Sequence, residues 1–205
     1  MGLSSTLISL LLFAGAALPQ SYHDDALNIT YFYPAQFATA PEPATGTACS
    51  QTTLLTKANT RIGASTFTVS TVDNTCPERP RDAAALGPFI RVQIWKQLRQ
   101  EGVPAITREP LRYLIGGRPA AIALAAVTTQ DKVPHTTYAA KACALGNVAG
   151  KHRKKSDPVD PASPVLCFDF TTDNSDLVSL MFSFIIQFGD NPPEPLFLAS
   201  AQPKR

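Results

Sequence analysis

The densest chemistry in this sequence is a run of five consecutive basic or titratable side chains, Lys151-His152-Arg153-Lys154-Lys155. Clustered cations on an exposed segment attract anionic surfaces, and each one near a lipid headgroup layer contributes about 1 kcal/mol. The other residues with covalent potential are four cysteines, Cys49, Cys76, Cys143 and Cys167. They show no Cys-x-x-Cys spacing and no adjacent histidine, which argues against a zinc site and against an activated thiolate. An even number of cysteines behind an export leader reads instead as disulfides. His23 stands beside Asp24 and Asp25 as a metal-capable trio, but close to a terminus where chains fray. His135 follows Pro134 and opens an expected strand. Asp169, Asp173 and Asp176 miss the calcium-loop spacing, and the last two suit the start of a helix. The sequence holds no G-x-S-x-G, H-E-x-x-H, phosphate-loop or dinucleotide pattern. The expected site residues are therefore four disulfide cysteines and a basic run, with no catalytic residue, metal or cofactor.

Composition sets the frame in which those residues must sit. The chain has 205 residues, 44% hydrophobic and 17% charged, enough apolar surface for a packed core and too much for general disorder. A formal net charge of +2 does not provide a nucleic-acid surface. Leu7 to Leu18 is an apolar run of signal-peptide length, shorter than the roughly 20 residues that span a bilayer. Small residues at Gly15-Ala16-Ala17 place cleavage near Ala17, although the segment before the run carries no Lys or Arg. The expected organisation is a leader over 1–17, a linker over 18–25, one domain over 26–198 and a tail over 199–205. No later run is long and apolar enough to be a transmembrane helix, so the mature chain is expected to be secreted or periplasmic.

The elements that position these groups are expected to be hairpins and two helices. Ala26 to Tyr33 reads as a strand stopped by Pro34. Setting Cys49 opposite Cys76 makes a hairpin with its turn between Ile62 and Gly63, placing Leu54 against Thr71 and Thr56 against Val69. Setting Cys143 opposite Cys167 places Lys141 against Asp169 and Leu145 against Val165, with the basic run at the tip. Each bridge is worth about 3 to 4 kcal/mol in the chain-entropy model. Between them, Pro88 to Glu101 reads as a helix that buries Ile90, Ile94 and Leu98 with Trp95 beside them. Strands over 105–114 and 119–128 meet at Ile115-Gly116-Gly117-Arg118. Asp173 to Ser175 caps a last amphipathic helix carrying Leu177, Leu180, Met181, Phe184, Ile185 and Phe188. The expected fold class is α+β, an antiparallel β-sheet built from hairpins and covered by two amphipathic helices.

Three local patterns point the same way: Ile29-Thr30-Tyr31-Phe32-Tyr33-Pro34, Gly116-Gly117-Arg118-Pro119-Ala120 and Ser179-Leu180-Met181-Phe182-Ser183-Phe184. Together they resemble the PsbP-like family, which includes the Mog-type Ran-binding proteins, over about Ala26 to Phe188. The resemblance implies an α/β/α sandwich and a non-enzymatic domain that docks on larger assemblies, and it carries no functional residue across.

The expected function is an exported, disulfide-stabilised domain that binds an envelope partner or small ligand, its basic tip available to an anionic surface. Alternatives are an exported hydrolase with carboxylate or metal chemistry on the sheet face, and a carrier of a small apolar ligand between the last helix and the sheet. Asn28-Ile29-Thr30 matches a glycosylation sequon inside an expected strand and is set aside, the source reading as bacterial.

Overall fold

A computed structural model describes residues 20–39, 42, 45–47, 49–61, 63–73, 75–130, 132–146 and 164–197. The chain begins with the hairpin β1 (Gln20–Asp24) and β2 (Ile29–Tyr33). Short β3 (Ala38–Thr39) and β4 (Thr45–Thr47) precede the long hairpin of β5 (Ser50–Thr60) and β6 (Gly63–Val72). Then come α1 (Ala83–Leu98), β7 (Ala105–Ile115), β8 (Arg118–Thr128), β9 (Thr136–Ala144) and β10 (Val165–Thr172). A 3₁₀ helix (Ser175–Ser183), β11 (Ile185–Phe188) and β12 (Glu194–Pro195) close the described chain. The strands form two antiparallel sheets, a small one ordered β1-β2-β11-β12 and a large one ordered β3-β5-β6-β10-β9-β8-β7, with β4 also on β5.

This corrects the expected α+β sheet covered by two helices, and with it the α/β/α arrangement. The protein is mostly β, and one face of its large sheet is covered by a second sheet where a helix was expected. The reason lies in residues 184–188. Phe184, Ile186 and Phe188 are buried while Ile185 faces out, an alternation of period two that pairs Ile186 with Tyr31 of β2. The helical reading rested on a stripe of Leu177, Leu180, Met181, Phe184, Ile185 and Phe188, in which Phe184 and Phe188 are spaced by four. Four is also an even number, so Phe184 and Phe188 fit one face of an extended segment equally well, and the helix that does form is a short 3₁₀ segment ending at Ser183.

Alternation builds both faces of the large sheet. Phe67, Val69, Ile122, Ala140, Ala142, Leu166, Phe168 and Phe170 point to the small sheet, where Tyr31, Tyr33, Phe37, Phe184 and Phe197 meet them in an aromatic core. Phe67 and Phe184 pack with ring centroids 4.5 Å apart. The intervening residues of β8 and β9 on the opposite face are Ala121, Ala123, Ala125 and Ala139, and α1 lays Leu86, Ile90, Ile94 and Leu98 upon them. A floor of methyl groups lets a helix approach the sheet closely.

Three further local differences have physical causes. The helix starts at Ala83, not Pro88, because the Asp82 carboxylate accepts the Ala85 N–H at 2.8 Å as N-cap, leaving Pro88 inside the helix. Ile90, Ile94 and Leu98 are buried as expected, whereas Trp95 is 48% exposed on the outer side. Residues 20–24, expected as linker, pair with β2 as a strand. The β7–β8 turn falls where expected, Gly116 and Gly117 both adopting the positive φ that a tight two-residue hairpin demands.

Candidate functional site

Both disulfides join the partners expected from sequence, Cys49 with Cys76 and Cys143 with Cys167. The second lies in register. Cys143 faces Cys167 directly across β9 and β10, with Cα atoms 4.1 Å apart, and Lys141 faces Asp169 two residues along. The first does not sit within a ladder. Leu54 pairs with Thr68 instead of Thr71, and a bulge after it brings Thr56 opposite Phe67 instead of Val69. The ladder ends where the Asp73 N–H donates to the Cys49 carbonyl at 2.8 Å, and a turn closed by the Cys76 N–H on the Asp73 carbonyl brings Cys76 back beside Cys49.

The basic run Lys151, His152, Arg153, Lys154 and Lys155 and the leader over 1–17 lie outside the described residues. His23 is exposed, its Nδ1 2.9 Å from the Thr30 hydroxyl and its Nε2 3.4 Å from Asp25. His135 meets the Thr129 hydroxyl at 3.2 Å. The Asp173 carboxylate accepts the Ala64 N–H at 2.7 Å and pins the start of β6, while the Asp176 N–H donates to Asn174. Among the described residues, no group of three His, Cys, Asp or Glu could hold a metal ion, and no helix is long and apolar enough to cross a membrane.

What the fold does assemble is a polar cleft. Helix α1 rests mainly on β8, with β7 and β9 beside it, so among the described elements it leaves a hollow next to it over the same face of β6 and β10. The hollow between them measures about 440 Å3, within the range of small-molecule sites. Its floor carries Ser50, Thr68, Ser70 and Asp169, and the bordering wall carries Phe89, Gln93, Lys96 and Gln97 of α1. Those four helix residues fall at i, i+4, i+7 and i+8, one stripe along the flank of the helix. Thr68, Asp169 and Lys141 stand in one row across β6, β10 and β9.

The charges of this cleft are paired. Lys141 Nζ donates to Asp169 Oδ1, both side chains almost wholly buried, so the row ends in a closed ion pair beneath the helix edge. At the rim, Lys96 Nζ donates to both carboxylate oxygens of Glu78 at 2.9 and 2.7 Å, an exposed contact that orients the side chains more than it stabilises the fold. A second hollow of about 370 Å3 shares Ser50, Val72, Phe89, Gln93 and Lys96 and runs on to Cys49 and Cys76. The Cys49–Cys76 bridge thus anchors the far end of the groove.

Two other places were candidates for ligands. The crevice between the 3₁₀ helix and the sheet, bounded by Val178, Met181, Phe170 and Leu124, measures about 50 Å3, room for little more than water. Near the β7–β8 turn, the Glu194 carboxylate accepts the Gly116 N–H, and Tyr113 donates its hydroxyl to the Leu196 carbonyl at 2.9 Å. Burial pushes the Glu194 pKa up, against the opposing pull of the Gly116 bond and Arg118. These contacts fasten the C-terminal segment to the turn.

Sequence reasoning missed Ser50, Thr68, Ser70, Gln93 and Gln97. Their signal was present in part: in β6 the hydroxylated Thr66, Thr68 and Ser70 alternate with Phe67 and Val69, which makes one side of that stretch polar. No family model matches the chain, and no curated protein matches it in sequence.

Proposed function

We propose that this chain is an exported, disulfide-stabilised binding domain that holds a small polar ligand in the cleft beside α1 and leaves it chemically unchanged. The observation that carries this reading is the open cleft itself, dense in hydrogen-bonding side chains above a buried Lys141–Asp169 pair. Two disulfides suit an oxidising compartment, as does an apolar run at Leu7 to Leu18. A binding role, not a catalytic one, is favoured by the state of the reactive groups. The cleft's cysteine sulfur is tied in a bridge, and Asp169 is already committed to Lys141. The basic run over 151–155 joins β9 to β10, and its proposed part is contact with an anionic surface.

The test is a thermal-shift screen of the oxidised chain against polar small molecules, repeated on Ser70→Tyr, which fills the cleft floor. Compounds that raise the melting temperature should lose that effect in the variant while its unliganded melting temperature stays close to wild type. Stabilisation that persists in Ser70→Tyr would place the binding elsewhere.

A further inference from the structure

We infer that the cleft selects a neutral, polyhydroxylated chain, an oligosaccharide, over any charged ligand; this rests on the cleft being the binding site. Charge comes first. Lys141 is closed on Asp169 in a setting where each side chain is over nine-tenths buried, and Lys96 is held by both oxygens of Glu78. A charged group entering the cleft must compete with the buried Lys141–Asp169 pair, whose separation leaves an uncompensated buried charge, while the exposed Lys96–Glu78 pair resists it more weakly. A neutral ligand leaves them intact.

Donor and acceptor supply comes second. The Ser50 and Thr68 hydroxyls and the Gln93 and Gln97 carboxamides each present both a donor and an acceptor. A sugar hydroxyl does the same, so each can be met in either sense. Phe89 and Val72 are largely buried and give the cleft only a thin apolar margin, so its contacts are mainly hydrogen bonds.

Shape comes third. The groove continues past Ser50 and Phe89 to the Cys49–Cys76 bridge, which suits linked rings better than a single one. A peptide laid down as an added strand is disfavoured because β6, β10 and β9 each have a neighbour on both sides, leaving no backbone edge in the floor.

Calorimetric titration of the oxidised full-length chain with maltotriose, cellotriose and chitotriose, and with trigalacturonate as a charged trimer of similar size, tests this. At least one neutral trimer should bind with a Kd below about 1 mM. Trigalacturonate should bind at least tenfold more weakly, and Gln97→Ala should weaken the neutral trimer tenfold or more. Alanine is the best helix former, so Gln97→Ala should fold, and circular dichroism checks it. Equal or tighter binding of trigalacturonate, or no binding by any neutral trimer, overturns the assignment of ligand class, while the screen with Ser70→Tyr still judges the cleft. Neutral binding that survives both Gln97→Ala and Ser70→Tyr overturns the cleft as the site.

Discussion

The face of the large sheet that carries α1 is built in two halves. Under the helix, β8 and β9 present Ala121, Ala123, Ala125 and Ala139, all at most 5% exposed. Beside the helix, β5, β6 and β10 line the cleft with the partly exposed Ser50, Thr68 and Ser70 and the buried Asp169. Both halves belong to one antiparallel sheet. They differ in the side chains they present on this face, and that difference matches where the helix lands. Apolar Leu86, Ile90, Ile94 and Leu98 gain most by burial on a low apolar floor, and would strand hydroxyls and a carboxylate without water on the other half. The polar half is thereby left beside the helix, where the proposed ligand sits.

Lys141 and Asp169 stand at the seam, and disturbing them should have the largest effect. Lys141→Met leaves Asp169 buried without its partner and should cost about 3 to 5 kcal/mol, read as a lower midpoint in urea unfolding. Adding Asp169→Leu to it should restore most of that loss, since a well-packed apolar pair can replace a buried ion pair. Failure of the second change to recover stability would mean that the pair itself, and not the orphaned charge, sustains the seam.

The helix-covered half should be the more sensitive to added volume. Ala123→Leu forces four-carbon bulk under α1 and should destabilise by about 1 to 3 kcal/mol. The same unfolding experiment on Thr68→Val should show a change within about 0.5 kcal/mol, because Thr68 is half-buried at the cleft surface and both residues suit a strand. That variant should nonetheless lose ligand affinity. Equal stability losses at the two positions would erase the contrast between the halves.

Legibility in the sequence followed how local the information is. Gly116-Gly117 dictates its own turn, and Cys143 opposite Cys167 brings Lys141 opposite Asp169, so the β7–β8 turn and the β9–β10 register were readable, while the bulges within β7–β8 were not. The β5–β6 register was not readable from Cys49 and Cys76, since those cysteines lie beyond the ladder and a bulge at Leu54 shifts the pairing. The last apolar run was compatible with two periods, and only packing against β2 selects the strand at Ile185–Phe188. The cleft needed the most remote information. Thr68 joins Lys141 and Asp169 only once β6 is ordered beside β10, an order that no local pattern specifies.

The most direct test of the cleft is chemical-shift mapping by NMR of the oxidised chain titrated with the compound that most raises its melting temperature. The account predicts that the shifted backbone and carboxamide resonances cluster at Ser50, Thr68, Ser70, Gln93 and Gln97. Shifts confined to the exposed side of α1 around Trp95, or to residues 151–155, with those five unmoved, would contradict it.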